Sequence, residues 1–320
     1  MSVGGAGGRR GSRAVPAGTL TLAACRAEAT VARISAALDL ERAQTPSVIV
    51  TSELLGTAAG ERRTDRSWEG GMPVKVLVTG GASGLGLAMA SALAAAGAAV
   101  ALTSRSGRRA DSVAAGVPGA VGIELDVRDE SSVARAVDEA WSRLGGIDML
   151  VNNAGIGMRT VNPRFMTHPQ GFWEVPVEGF RAVIETNLTG YFLVAREVVP
   201  RMLAAGGGRI VNVSVSQSTM HRAGFVPYGS SRAGSEALSR IMAADLRGTG
   251  VTVNLLLPGG ATVTGMLPLD AVPEGQRFLE PAVMGPPIVW LASDDAAGVH
   301  DERIVAVEFE RWLLDRNGRR

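Results

Sequence analysis

The chain has 320 residues, is 46% hydrophobic and carries a formal net charge of +1. That length buries a sizeable core as one large domain or two small ones, and the near-neutral balance gives no argument for nucleic acid or an acidic surface as partner. A single cysteine, Cys25, excludes an internal disulfide framework and fits a reducing, cytoplasmic setting, while His168, His221 and His300 have no metal-ligand spacing, so no metal site is expected.

Residues 1–71 differ from the rest. They open with MSVGGAGGRRGSR, show no sustained apolar periodicity beyond Ala27–Arg42, and close on the polar, turn-rich ERRTDRSWEGG. The first acid is Glu28, a faint likeness to a transit peptide, but the apolar core of a secretory signal is missing. The expectation is a disordered or loosely structured extension over 1–71, translated from an upstream start. Residues 72–320, from Met72, then form the folded domain.

The folded domain is organised around Val74 to Gly86. Val74, Val76, Leu77 and Val78 read as a buried strand ended by Thr79 and Gly80. Gly81, Gly84 and Gly86 make a turn that suits residues without a β-carbon, and Leu85 to Ala96 is a run of small helix formers stopped at Gly97. Strand, glycine turn and helix start together cradle a pyrophosphate, because backbone N–H groups and the positive helix end face the anion. No charged residue occurs from Val76 to Ser104, but the glycines split that run into strand, helix and strand, so no membrane span is expected.

Further strands are predicted at Ala98–Thr103, Val121–Leu125, Ile147–Val151, Arg209–Val213, Val251–Leu257 and Arg303–Val307. Helical patterns cover Ser131–Leu144, Val177–Leu203, Tyr228–Arg247 and the later part of Pro281–Ser293. Strands alternating with helices give an α/β fold, a single doubly wound parallel sheet of Rossmann type flanked by helices. In such a sheet a ligand lies across the carboxyl ends of the strands. Thr79–Gly86, Asp126, Asn152–Gly155, Ser214 and Pro258 all follow strands and can share one crevice.

The chain resembles the short-chain dehydrogenases/reductases. Four signatures stand in order: Thr79-Gly-Gly-Ala-Ser-Gly-Leu-Gly86, Asn152-Asn-Ala-Gly155, Tyr228-x-x-x-Arg232 and Pro258-Gly259. The resemblance implies an NAD(P)-dependent oxidoreductase that moves hydride between a nicotinamide cofactor and a small carbonyl or alcohol substrate. It implies that Thr79, Gly80, Ser83, Gly84, Leu85 and Gly86 hold the cofactor, with Asn153, Ala154 and Gly155, and that Asp126 and Val127 meet the adenine. Asp126 otherwise caps the helix that starts near Ser131. Thr262 or Thr264, after Pro258 and Gly259, would meet the nicotinamide carboxamide or the phosphate, and Met266–Phe278 would form part of a mobile substrate lid.

The end of the second strand selects the cofactor. An acid there would bind the ribose hydroxyls of NAD, whereas Thr103-Ser104-Arg105-Ser106 offers arginine, with Arg108 and Arg109 close by and no acid before Asp111. Arg105 suits a 2′-phosphate, so NADP(H) is favoured and NAD(H) remains open. Tyr228 is the general acid/base, since a phenol with a pKa of about 10 needs a nearby cation to work near neutrality. The family places lysine four residues on. This chain has Arg232, and Lys75 is its only lysine.

Counting back from Tyr228 by the family's spacing lands on Val215, not serine. Ser216 and Ser214 flank it and both remain candidates to position the carbonyl, Ser216 slightly favoured as nearer the loop. Asn187 matches the asparagine that holds a proton-relay water. Phe165, Phe172, Trp173, Met220, Phe225 and Met266 suggest an apolar pocket wall, or a satellite core under the long 155–176 connection. Arg159, Arg164 and Arg222 offer cations for a carboxylate. In the family, the helices over Val177–Leu203 and Tyr228–Arg247 make subunit contacts, which implies a homodimer or homotetramer. The rival expectation is a nucleotide-binding sensor or scaffold with little catalysis.

Overall fold

Leu77 and its neighbours Val76 and Val78 are fully buried, and the pleat sends them to opposite faces of one sheet. This pattern recurs along the protein, for which a computed structural model describes Met1 and residues 73–268, 272, 275 and 277–318. The extension expected over 1–71, its boundary at Met72 and part of the expected lid lie outside the described residues.

Seven strands form the sheet: β1 (Lys75–Val78), β2 (Ala99–Ser104), β3 (Ala120–Glu124), β4 (Met149–Asn152), β5 (Gly208–Val213), β6 (Val251–Leu257) and β7 (Arg303–Val305). All neighbours are parallel, in the order β3-β2-β1-β4-β5-β6-β7. Strand order therefore reverses between β1 and β4, which opens a crevice at their carboxyl ends. The apolar runs predicted these strands to within a few residues. The last is shorter than expected, because 306–308 tighten into a 3₁₀ turn that leaves Val307 exposed.

One face of the sheet is covered by α1 (Gly84–Ala95) and α2 (Gly107–Ala114), and later by α8 (Gly285–Ala292) and α9 (Phe309–Asn317). The other is covered by α3 (Glu130–Leu144), α5 (Gly190–Ala204) and α7 (Tyr228–Asp245). The single helix expected over Val177–Leu203 is instead α4 (Val177–Ile184), a wider π-type turn at Glu185–Thr189, and α5. Gly190 begins α5, packed so closely that a β-carbon there would lie 2.7 Å from the Val127 side chain. Helices α2 and α9 and the one-turn α6 (Gln217–Met220) were not anticipated, since each is short and begins among polar residues. At the far end of the sheet, Lys75 Nζ donates to the Gly145 carbonyl at 2.6 Å. Among the described residues no helix is long and apolar enough to cross a membrane.

Candidate active site

The glycine turn is built as one unit with the Asn152–Gly155 run. Thr79 Oγ1 donates to the Val151 carbonyl at 3.3 Å and accepts from the amides of Asn153 and Ala154 at 2.9 and 3.0 Å. Asn153 Nδ2 returns hydrogen bonds to the carbonyls of Thr79 and Gly80 at 2.9 and 3.3 Å. The approach is so close that a β-carbon on Gly86 would lie 2.4 Å from Gly80 O and from Asn153 Nδ2. Gly80, at φ +63°, would collide with Ala154 as well. Ser83 precedes α1 in extended geometry, its side chain caps nothing, and the first turn of α1 holds no acid. The N-terminal amides of α1 thus face the crevice with no internal anion, which fits a pyrophosphate. Leu85 lies in that first turn, and Thr264 packs over Gly84, 3.2 Å from where its β-carbon would be.

At the β2–α2 corner, Ser106 caps α2, and Ser104 Oγ accepts from the Ser106 amide at 3.3 Å. Among the described residues, no ion pair or side-chain hydrogen bond holds the guanidinium of Arg105, Arg108 or Arg109. Sequence reasoning missed Glu124, because no acid near Ser104 along the chain signals it. The register pairs Ser104 with Glu124 across β2 and β3, and its Oε2 accepts from the Gly107 amide at 2.9 Å. Asp126 accepts from Arg128 through Nε at 2.9 Å and Nη2 at 2.6 Å, and this bond holds its carboxyl below the usual range. The helix cap is not Asp126 but Asp129, which accepts from the Ser132 amide at 2.9 Å. Val127 is buried against Gly190.

Tyr228 opens α7 and is half-buried. Arg232, one helical turn on, is 3% exposed. Its guanidinium carbon lies 5.4 Å from the Tyr228 ring centre and 5.5 Å from that of Tyr191 on α5. Nη1 donates to Tyr191 Oη at 2.8 Å and to the Val213 carbonyl at 3.2 Å, and a β-carbon on Gly155 would lie 2.4 Å from Nη2. Burial works against the charge of Arg232, but the two tyrosines outweigh it and hold its pKa above the ordinary arginine value. Sequence reasoning missed Tyr191; only its helical spacing from Asn187 hinted at a shared face.

Asn187 sits in the π-type turn, fully buried, as such turns tend to mark functional positions. Its Oδ1 accepts from the Ile156 amide at 2.9 Å, and Nδ2 donates to the Ile156 carbonyl at 2.9 Å and to Ser231 Oγ at 3.0 Å. The two candidate serines differ. Ser214 is 1% exposed and donates to Glu236 Oε2 at 2.9 Å. Arg303 ties the same carboxylate, at 2.9 Å, to the Val215 carbonyl, at 2.8 Å. Ser216 caps α6, accepting from the Thr219 amide at 3.2 Å and pairing with the hydroxyls of Ser218 and Thr219.

Pro258 accepts from the Val307 amide at 3.3 Å, and Gly259 takes φ +95° where Val307 leaves no room for a side chain. Thr262 bridges to Leu279, its hydroxyl donating to the Gly260 carbonyl at 3.1 Å. A cleft of about 750 Å³ runs between Gly84, Ala88, Arg159, Thr264 and Leu267. Arg159 crosses it, donating to the carbonyls of Gly265 and Leu267 at 3.2 and 3.4 Å, so it straps two loops together. Arg222 lies over the Phe225 ring at 4.7 Å. The expected pocket wall divides. Phe165 and Phe225 pack edge-to-face in a small buried cluster that Tyr228 joins, whereas Phe172 and Trp173 are 70% and 76% exposed and meet each other at a ring edge.

The family model for short chain dehydrogenases matches residues 74–270. The 2-dehydro-3-deoxy-L-rhamnonate dehydrogenase (NAD(+)) of a Sphingomonas species is 38% identical over 62% of this chain and 76% of its own length. A 2,5-dichloro-2,5-cyclohexadiene-1,4-diol dehydrogenase of Sphingobium indicum is 33% identical over 69% of this chain and 89% of its own. Among solved structures, a 3-ketoacyl-(acyl-carrier-protein) reductase from Brucella melitensis complexed with NADH superposes with a TM-score of 0.64. It is 28% identical, covering 73% of this chain and 97% of that one.

Proposed function

This chain belongs to the short-chain dehydrogenase family, and from that premise we propose that it is an NADP(H)-dependent oxidoreductase acting on a small carbonyl or alcohol with an apolar part. The observation that carries the proposal is the buried Arg232 cation set beside the half-exposed Tyr228 and against Gly155, the end of the run that packs on the glycine turn.

When bound, a nicotinamide cofactor supplies the hydride acceptor or donor. The α1 amides from Ser83 to Gly86 and Thr264 hold its pyrophosphate, and Asp126 and Val127 face its adenine. Arg105, with no ion pair among the described residues, takes the 2′-phosphate. Tyr228 Oη gives a proton to the carbonyl oxygen in reduction and takes one from the alcohol in oxidation. Arg232 stabilises the phenolate that remains. Asn187 fixes the loop after β4 and keeps one Oδ1 lone pair for a relay water. Ser216 is assigned the carbonyl contact: Ser214 spends its only hydrogen on the Glu236 carboxylate, whereas Ser216 accepts from the Thr219 amide and otherwise pairs only with the hydroxyls of Ser218 and Thr219, which can donate in its place. Relatives are named for NAD(+) or solved with NADH; the choice of NADP(H) here rests on Arg105 of this chain.

A second reading, a nucleotide sensor with little catalysis, is favoured by Val215 at the family's serine spacing. The two part on one experiment. NADPH oxidation against a panel of ketones should show turnover, and Tyr228→Phe should abolish it while NADPH still binds. Full turnover in Tyr228→Phe overturns the catalytic proposal; binding without turnover on any ketone or alcohol supports the sensor. The single cysteine, Cys25, supports a cytoplasmic setting.

A further inference from the structure

The chain holds two tyrosines, and the guanidinium of Arg232 lies between them. We infer that Tyr191 is a positioning residue for the proposed acid/base: it anchors the Arg232 guanidinium beside Tyr228 before any ligand arrives. The inference rests on the assignment of Tyr228 and deepens it, because it says how arginine stands in for the family's lysine.

Arginine is longer than lysine and ends in a flat fork, so at the same backbone position its charge overshoots unless something holds it. Two hydrogen bonds hold it here, and a third joins their acceptors. Tyr191 Oη accepts from Nη1 at 2.8 Å and itself donates to the Val213 carbonyl at 3.1 Å, the same carbonyl that receives Nη1 at 3.2 Å. The result is a closed triangle of phenol, guanidinium and strand-end carbonyl. Tyr191 is 2% exposed and rigidly packed on α5. Gly155 supplies the space, since any side chain there would strike Nη2.

The charges around this triangle are few. From α5 comes Tyr191, from α7 Tyr228, from β5 the Val213 carbonyl, and from the π-type turn the neutral Asn187 amide against Gly155. Among the described residues no carboxylate pairs with Arg232, and its Nε has no hydrogen-bond partner. Among the described residues the titratable neighbours of this buried cation are the two phenols, and burial pushes the Tyr191 phenol up. Tyr191, buried and tied to the Val213 carbonyl, is the clamp, and the half-buried Tyr228 is the phenol the clamped cation faces.

Because the protein has only these two tyrosines, tyrosinate absorbance near 295 nm reads both directly, without turnover. In the folded full chain the first step should vanish in Tyr228→Phe, which assigns it. Tyr191→Phe keeps the ring but frees the guanidinium, and should move the first step upward by about half a pH unit or more. In an Arg232→Met background, Tyr191→Phe should move it no further. The pH–rate profile should shift alongside, with little change in substrate KM. An unmoved first step in folded Tyr191→Phe overturns the inference, as does an equal shift in the Arg232→Met background. Failure of turnover with the titration intact would count against the proposed activity and leave the clamp standing.

Discussion

Ser214 Oγ lies 2.9 Å from Glu236 Oε2, and that contact removes the more buried of two neighbouring hydroxyls from chemistry. Its role is to tie the end of β5 to α7. Ser214→Ala should therefore leave kcat within about twofold and cost about 1–2 kcal/mol of stability, because Glu236 loses a donor in a half-buried site. Ser216→Ala should lower kcat on the order of tenfold or more, and Val215→Ser should raise it on the order of tenfold by adding a donor at the strand end. Steady-state kinetics with chemical denaturation of each variant separate the two serines.

Cofactor preference should follow the β2–α2 corner. NADPH should bind on the order of tenfold more tightly than NADH, and Arg105→Ala should shrink the difference by a factor of similar size. Glu124→Gln removes a negative charge beside the same corner and should widen it. Calorimetric titration with both cofactors decides the matter, and equal affinities in the parent would defeat the phosphate assignment.

Gly86→Ala should fail as a cofactor binder. Its new methyl would meet the Gly80 carbonyl and the Asn153 amide at 2.4 Å, backbone and a hydrogen-bonded side chain that have nowhere to go. Overpacking of this kind costs about 1–3 kcal/mol, so thermal stability should fall along with affinity. Gly116→Ala is the control, since its β-carbon would meet only the Val113 carbonyl, at an ordinary 3.5 Å.

Assembly is the remaining expectation. Phe192 on α5 and Ile241 on α7 are 44% and 58% exposed, and Phe180 on α4 is 39% exposed. Large apolar side chains on these helices are best buried by a second copy in closed symmetry. Light scattering at micromolar concentration should give a dimer or tetramer mass, and Ile241→Glu should lower it. A monomer in the parent protein would refute this.

Much of the fold was legible because its strands are buried on both faces. Runs such as Val76–Val78 and Leu255–Leu257 need no alternation to be recognised, and glycine turns mark where they stop. The pyrophosphate cradle was legible for the same local reason. What escaped depends on contacts across the chain. Glu124 reaches the β2 corner only through strand register, and Ser214 meets a carboxylate two helical turns along α7. The break at Glu185–Thr189 escaped because a wider helical turn leaves the apolar spacing almost unchanged. Phe172 and Trp173 read as pocket residues from composition alone, although the loop turns them to solvent.

Lys75 has a practical consequence. It is the only lysine, and it sits at the amino end of β1 with its ammonium on Gly145, at the opposite edge of the sheet from the crevice. Amine-directed reagents therefore find one side-chain target, remote from the cradle and from Tyr228. Acylation at that position offers one side-chain attachment point for a fluorophore or a solid support. Such a tether presents the crevice outward and leaves its chemistry untouched.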